Sequence, residues 1–280
     1  MSSQPQLLTD PFLQLPTENS IRVVWFTEFP GSRHSVNFGY NLDKIVSANT
    51  IKLSRTREDQ KSKFGEQTEE NQVYQKPVVR DIWRHEAEIT NLIPGKRVPY
   101  RVKSEREDGK IVSSEVFTLA AKPLPGTALK ILLTSDHQLM PMIAANLQKL
   151  TEIIGRVDAV FFAGDLVNIP DRASEWFDDN RGNAFFPCWQ GKAKYKLAKN
   201  GISTIYKGGE IIQHAPLFPA IGNHEVMGRF SLESSLGEQF YDSFPREVAK
   251  QIYQDKPDIA EEVKLKNYSF NTDTYEEIFT

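Results

Sequence analysis

The sequence predicts an all-β sandwich over residues 1–122, followed by an α/β layered unit over residues 123–280. Three observations carry that expectation. Short β-branched and aromatic runs recur before residue 120, with Pro-Gly and Asp-Gly turns between them. A Pro/Gly-rich linker, Ala121-Lys-Pro-Leu-Pro-Gly-Thr, then interrupts the pattern. Beyond it, apolar runs alternate with a stretch of helical period, the grammar of parallel strands joined by a crossover helix.

In chain order, Ile21-Arg-Val-Val-Trp-Phe-Thr reads as a strand, with Trp25 as a sandwich-core residue. Val36 to Tyr40 alternates after the turn at Pro30-Gly31. Ile51-Lys-Leu, Glu86 to Thr90, Val98 to Lys103 and Ile111 to Leu119 are further strands. The polar stretch Arg55 to Gln75 is expected to be an exposed loop or hairpin tip without chemistry of its own. Lys130 to Ser135 reads as a strand buried on both faces. Met142 to Ile154 has helical spacing, with Ile143, Leu147, Leu150 and Ile154 on one face. Asp158 to Ala163 is a second buried strand, and Ala215 to Ile221 a third. Pro216 and Pro219 argue against a central place for that third strand. Gly237 to Ala260 is polar and expected to be helical.

Composition bounds the function. A chain of 280 residues, 39% hydrophobic and 25% charged, is globular and long enough for two domains. Thirty-four basic against thirty-seven acidic side chains give a net charge of −3, which argues against a general nucleic-acid binder. Cys188 is the only cysteine, so no internal disulfide framework is expected. No segment approaches the roughly 18 unbroken apolar residues of a membrane span. The first residues lack the basic and apolar regions of a signal peptide. The expectation is a cytoplasmic protein with no membrane contact.

The chemistry gathers at the strand ends. The first strand ends Ser135-Asp136-His137-Gln138, the second Gly164-Asp165-Leu166-Val167-Asn168, the third Gly222-Asn223-His224-Glu225. In an α/β sheet, ligands collect beyond the carboxyl ends of strands. Two carboxylates and an amide are hard oxygen donors suited to Mn, Fe, Zn or Mg. A carboxylate can bridge two such ions, and a nearby histidine can protonate a leaving oxygen. Each tripeptide alone would be an ordinary turn or cap. The ordered set of three is what points to a site.

That ordered set resembles the calcineurin-like metallophosphoesterase superfamily, with Gly-Asn-His-Glu as its most specific element. His85-Glu-Ala-Glu-Ile-Thr-Asn-Leu-Ile-Pro-Gly, Tyr100-Arg-Val and Ser113-Ser-Glu-Val-Phe-Thr are similar to a fibronectin type III-like domain. That domain ahead of a phosphoesterase domain is the layout of the purple acid phosphatase branch. The resemblance implies a four-layer sandwich, present here in part, carrying two divalent metal ions on its loops. It implies hydrolysis of a phosphomonoester or phosphodiester by metal-bound hydroxide. Asp136 would bind the first ion, Asp165 would bridge, and Asn223 would bind the second. His224 would touch substrate and assist the leaving group. Glu225 matches the motif without needing to touch metal.

The departures from the family pattern are specific. Gln138 stands where the family has His or Gly, and could ligate through its amide oxygen. His137 lies one place early, as a ligand or on the substrate side. Asn168 replaces the tyrosine that colours purple acid phosphatases, so no purple colour is expected; its amide could ligate or orient Asp165. Val98 stands where a corner tyrosine is common. The family's later histidine ligands have no counterpart, because none of the five histidines follows His224. The chain is therefore expected to be the N-terminal part of a longer enzyme, with an exposed sheet edge, or else a natural protein with an incomplete site. The rival function is a non-catalytic binding scaffold.

Other features have plainer readings beside functional ones. Asp171 to Gln190 concentrates five aromatics, either as a lip over the site or as a satellite apolar cluster. Arg172 and Arg181 could contact phosphate oxygens or be ordinary surface arginines. His214 reads as structural, Cys188 as a buried small apolar group, and Lys192 to Lys199 as a solvated face.

Overall fold

The computed structural model describes residues 4–67, 71–242, 251, 254 and 271–280. The N-terminal half holds β1 (Phe12–Gln14), β2 (Ile21–Thr27), β3 (Arg33–Phe38), β4 (Lys44–Ser47), β5 (Asn49–Lys52), β6 (Arg57–Glu58), β7 (Val78–Val79), β8 (Trp83–Ile89), β9 (Arg97–Glu105), β10 (Ile111–Ser113) and β11 (Phe117–Ala120). They form two antiparallel sheets, β1-β2-β8-β5 and β10-β9-β3-β4 with β11 also on β9, plus the small β6-β7 pair. Inward-facing Trp25, Val36, Ala87, Tyr100, Val102 and Leu119 share one apolar cluster between the sheets. Trp25 is fully buried and its Nε1 donates to Ser104 Oγ at 2.9 Å, as a core tryptophan requires. The buried tyrosine is Tyr100, not at position 98. Its hydroxyl donates to the Gln213 carbonyl at 2.7 Å, tying the sandwich to the second half.

The second half carries β12 (Ile131–Thr134), α1 (Ile143–Ile154), β13 (Ala159–Phe162), α2 (Ala173–Phe177), α3 (Phe185–Trp189), the hairpin β14 (Tyr195–Lys199) and β15 (Ile202–Tyr206), β16 (Leu217–Pro219), α4 (Leu236–Tyr241) and α5 (Asp273–Phe279). The strands β12, β13 and β16 make a parallel sheet in that order, so β16 is not the central strand. That placement accommodates Pro216 and Pro219, which lack the N–H a central strand needs on both sides. Only the short stretch at 236–241 confirms the helix expected over Gly237 to Ala260. Residues 243–250, 252, 253 and 255–260 of that expectation lie outside the described residues.

Three expectations need correction. Among the described residues, the parallel strands are covered on one face only. Leu132, Val160, Phe162 and Leu217 point into the main core, while Ile131 (47% exposed), Leu133 (73%) and Phe161 (44%) face outward. On that outer face Phe161 and Phe218 stack at 5.0 Å. Second, the aromatics of 171–190 are neither a lip nor a satellite. Trp176, Phe177, Phe185, Phe186 and Trp189 are the centre of the main core, packed with Phe12 and Phe26 of the sandwich and Phe279 of α5. Apolar rings from both halves therefore share one interior.

Third, Arg55 to Gln75 runs into the connection of the antiparallel β6–β7 pair, as a hairpin tip would, but it is exposed only in part. Arg55, Thr56, Arg57, Glu58, Asp59, Ser62 and Gln67 are all buried. Burial is tolerable because each charge meets an opposite one from elsewhere. Arg55 and Arg57 both bind the Asp171 carboxylate, which also accepts from Thr274 Oγ1 at 2.6 Å. Arg80 pairs with Glu58 at 3.0 Å and Asp178 at 2.6 Å. The Arg57 ring partner is Phe230, whose centroid lies 4.1 Å from the guanidinium carbon.

Cys188 is buried as expected, and burial pushes its thiol up to about 12. His214 is structural, bonded to Glu210 at 2.8 Å and to Thr118 Oγ1 at 3.0 Å. Lys194, Lys196 and Lys199 lie on or beside the exposed β14-β15 hairpin. Among the described residues no helix is long and apolar enough to cross a membrane.

Candidate functional site

Because β12, β13 and β16 run parallel, their carboxyl ends open at one edge of the sheet, and the three motifs leave from there. Backbone bonds join them at once. Asp136 N–H donates to the Gly164 carbonyl and Gln138 N–H to the Leu166 carbonyl, each at 3.2 Å. Two glycines permit this crossing. A Cβ on Gly164, whose φ is +89°, would sit 2.6 Å from Gly222 N. A Cβ on Gly222 would sit 2.2 Å from Asp165 Oδ1. Neither position tolerates a side chain.

Asp165 is the hub. Its Oδ1 accepts the His224 amide at 3.0 Å and its Oδ2 accepts Gln138 Nε2 at 3.2 Å. Gln138 thus turns its amide nitrogen, not its oxygen, toward Asp165. Asn168 Nδ2 donates to the Gln138 carbonyl at 2.9 Å. The Asn168 carbonyl in turn lies 2.8 Å from His224 Nδ1. A carbonyl only accepts, so Nδ1 carries a proton, and in a neutral ring Nε2 is the bare nitrogen. Phe240 of α4 packs against the same imidazole at 5.2 Å.

Three of the predicted ligands' segments are bent into left-handed backbone. Asp136 has φ 52°, Gln138 38° and Asp165 62°. Each costs on the order of 1–3 kcal/mol for a residue with a Cβ, and such strain concentrates at sites that need it.

Glu225 has a function that the sequence did not reveal. It is fully buried beneath the motifs. Its Oε2 accepts the Asp165 and Gly222 amides at 2.8 and 2.7 Å, and its Oε1 the Leu166 amide at 2.7 Å. Burial raises its pKa, while these three N–H groups hold it down. The carboxylate locks the second and third motifs together. The only sequence signal was its place at the end of Gly-Asn-His-Glu.

Asp136 and Asn223 are exposed; Gln138, Asp165, Asn168 and His224 are half-buried around the hub. His137 is elsewhere. It is 1% exposed, its ring stands edge-on to Phe185 at 5.3 Å, and burial draws its pKa down to about 3. Arg172 is buried rather than on the surface, with its guanidinium held by Asp59 and Glu175. Arg181 stays half-exposed and forks onto Asp179 at 2.8 Å. Among the described residues, no group of three or more His, Cys, Asp or Glu side chains could hold a metal ion. The side chains at the three strand ends are two carboxylates and three amides, whose oxygens are donors of the kind divalent cations take rather than thiolates.

Residues 9–121 match the family described as the purple acid phosphatase N-terminal domain. No curated protein matches the chain significantly. Among solved structures, the chain is similar to purple acid phosphatase PPD1 from yellow lupin (Lupinus luteus) seeds, at 16% identity and a TM-score of 0.52. That likeness covers 82% of this chain and 38% of the lupin protein. A cycloalternan-degrading enzyme from Trueperella pyogenes is 14% identical with a TM-score of 0.27, covering 43% of this chain and 16% of that one. At these identities the lupin likeness shows the fold alone, and the weaker one carries no argument.

Proposed function

We propose that this chain is part of a two-domain, metal-dependent phosphoesterase, with a fibronectin type III-like sandwich over 1–122 and a calcineurin-like phosphoesterase portion over 123–280. The observation that carries the reading is the convergence on Asp165 of groups from all three strand ends: Gln138 Nε2, the His224 amide and the Glu225 clamp. The matching sandwich family and the lupin fold likeness support it. The chain spans 38% of the lupin protein, so the activity of a whole enzyme is inferred. A cytoplasmic location and a phosphate-ester substrate belong to the same proposal.

In this reading Asp136, Asp165 and Asn223 would hold two divalent ions, Mn, Fe, Zn or Mg, with Asp165 between them and Gln138 and Asn168 alongside. When bound, such a pair supplies the positive charge that acidifies water and neutralises phosphate oxygens. The chain's own contribution is to position and to move a proton. With Nδ1–H held by the Asn168 carbonyl, His224 Nε2 is the atom that would carry a proton to the leaving alcohol. His137 and Arg172 serve as supports from within the core, not as substrate contacts. The experiment is a calorimetric titration with Mn²⁺ and Zn²⁺, run beside hydrolysis of p-nitrophenyl phosphate and its diester. Asp165→Asn is expected to weaken ion binding at least tenfold. No binding by the unaltered chain would remove the reading.

One observation favours a second reading, a non-catalytic scaffold. Among the described residues no three-membered His/Cys/Asp/Glu cluster is assembled. A scaffold needs no ion, so the same titration separates the two.

A further inference from the structure

The His224 imidazole depends on the Asn168 carbonyl, and Asn168 is held in turn by a side chain seven residues later. Glu175 Oε2 accepts the backbone N–H groups of Asn168 at 2.6 Å and Ile169 at 3.0 Å. Glu175 Oε1 accepts Arg172 Nη1 at 2.6 Å. The rest of the Arg172 fork ends on the N-terminal half. Its Nε and Nη2 donate to Asp59 Oδ1 at 3.2 and 3.1 Å, and Nη2 reaches Oδ2 at 3.3 Å. Asp59 Oδ2 also accepts the Leu236 amide at 2.9 Å, at the start of the helix that brings Phe240 to the imidazole. Asp59, Arg172 and Glu175 are all buried.

We propose that Asp59, Arg172 and Glu175 form a charged relay through which the N-terminal sandwich positions the His224 ring. The inference deepens the phosphoesterase reading and rests on it for the meaning of His224. The physics is a competition for Glu175. While Asp59 holds one edge of Arg172, the guanidinium takes a single oxygen of Glu175, and the other oxygen stays on the two amides. Neutralising Asp59 leaves Arg172 with one buried anion, and a fork-to-fork pairing with Glu175 becomes the better geometry. Glu175 then releases an amide, Asn168 shifts, and His224 Nδ1–H loses its acceptor. Asp59, Arg172 and Glu175 are positioning residues; none touches substrate.

The test reads the imidazole directly, in the full 280-residue chain. Nitrogen NMR of the labelled histidines at pH 8 reports which ring nitrogen of His224 carries the proton. The unaltered chain is expected to show the Nδ1–H form. Asp59→Asn should convert a substantial fraction to Nε2–H and raise amide exchange at Asn168 and Ile169 at least tenfold over that at Val160. Glu175→Gln should do the same, and the double variant should be no worse than the poorer single one. If both variants keep the Nδ1–H form, or speed exchange everywhere in step with a lower Tm, the residues merely brace the core and the proposal is overturned. If Asp59→Asn does not fold, Glu175→Gln decides alone. A chain that binds no Mn²⁺ but shows the tautomer change would end the phosphoesterase reading while leaving the relay intact.

Discussion

Two neighbouring regions of this molecule bury polar groups in opposite ways. Between strands β2, β3 and β8 of the sandwich, one buried cluster is neutral. His34 and His85 stack at 3.6 Å, with His85 between Thr27 and Thr50 and His34 between Ser104 and the Pro30 carbonyl. Beside it, where β6 and α2 meet, the molecule buries ions: Arg57 on Asp171, Arg80 on Glu58 and Asp178, Arg172 on Asp59 and Glu175. The neutral network fails when a proton is added. The ionic one fails when a partner is removed. Neither type is chosen by the local sequence, because both depend on what a distant segment supplies.

The largest expected effect lies in the ionic region. Asp171→Ala leaves Arg55 and Arg57, both buried, without their shared carboxylate. Removing one member of a buried ion pair costs about 3–5 kcal/mol. Urea unfolding should show a loss of that size; a loss under about 1 kcal/mol would mean the two arginines find other partners. The neutral region should respond to acid instead. Burial, with His34 and Arg84 nearby, lowers His85 to about 2, and burial lowers His34 as well. Both folded-state values lie below the unfolded value near 6.5. Their contribution is therefore complete above about pH 6.5 and is lost as pH falls below it. The slope is up to about 1.4 kcal/mol per pH unit for each histidine. His137, lowered to about 3 by burial, acts in the same direction from the second half. Unfolding curves at pH 7.5 and 5 should differ accordingly, and His85→Asn should shrink the difference. An equal difference in that variant would move the acid sensitivity out of the sandwich.

The smallest effect is expected at an ionic contact that is not buried. Lys76 pairs with Glu233 across the surface, with the side chains 62% and 77% exposed. Lys76→Ala should change stability by less than about 1 kcal/mol, because water screens the pair. Measured beside Asp171→Ala, it shows whether burial or charge pairing alone sets the cost.

Much of the scaffold was legible because it is local. Ile21–Thr27 is a strand at the predicted residues, since alternating β-branched and aromatic side chains favour a pleated, half-buried surface. The helix at Ile143–Ile154 follows from its apolar spacing. Strand ends with a small residue and a polar side chain predicted that Asp136, Asp165 and Asn223 would leave one sheet edge, and the parallel pairing of the three strands puts them there. What failed was the inference from polarity to exposure at Arg55–Asp59 and at Arg172. Arg57 reaches Asp171 across 114 positions, and Arg172 reaches Asp59 across 113. No window of sequence contains both partners, so a charged run reads as a solvated loop.

The sequence by itself determined the sandwich, the strand–helix–strand order and the three motifs in their order, because period, turn residues and motif spacing act over a few residues. Only the tertiary structure decided that the aromatics of 176–189 form the shared core and that Glu225 locks the motifs together. It also decided that the Asn168 carbonyl faces His224 Nδ1. Each of those depends on a hydrogen bond or a packing contact between residues far apart in the chain, and such a contact exists only once folding brings them within about 3–6 Å.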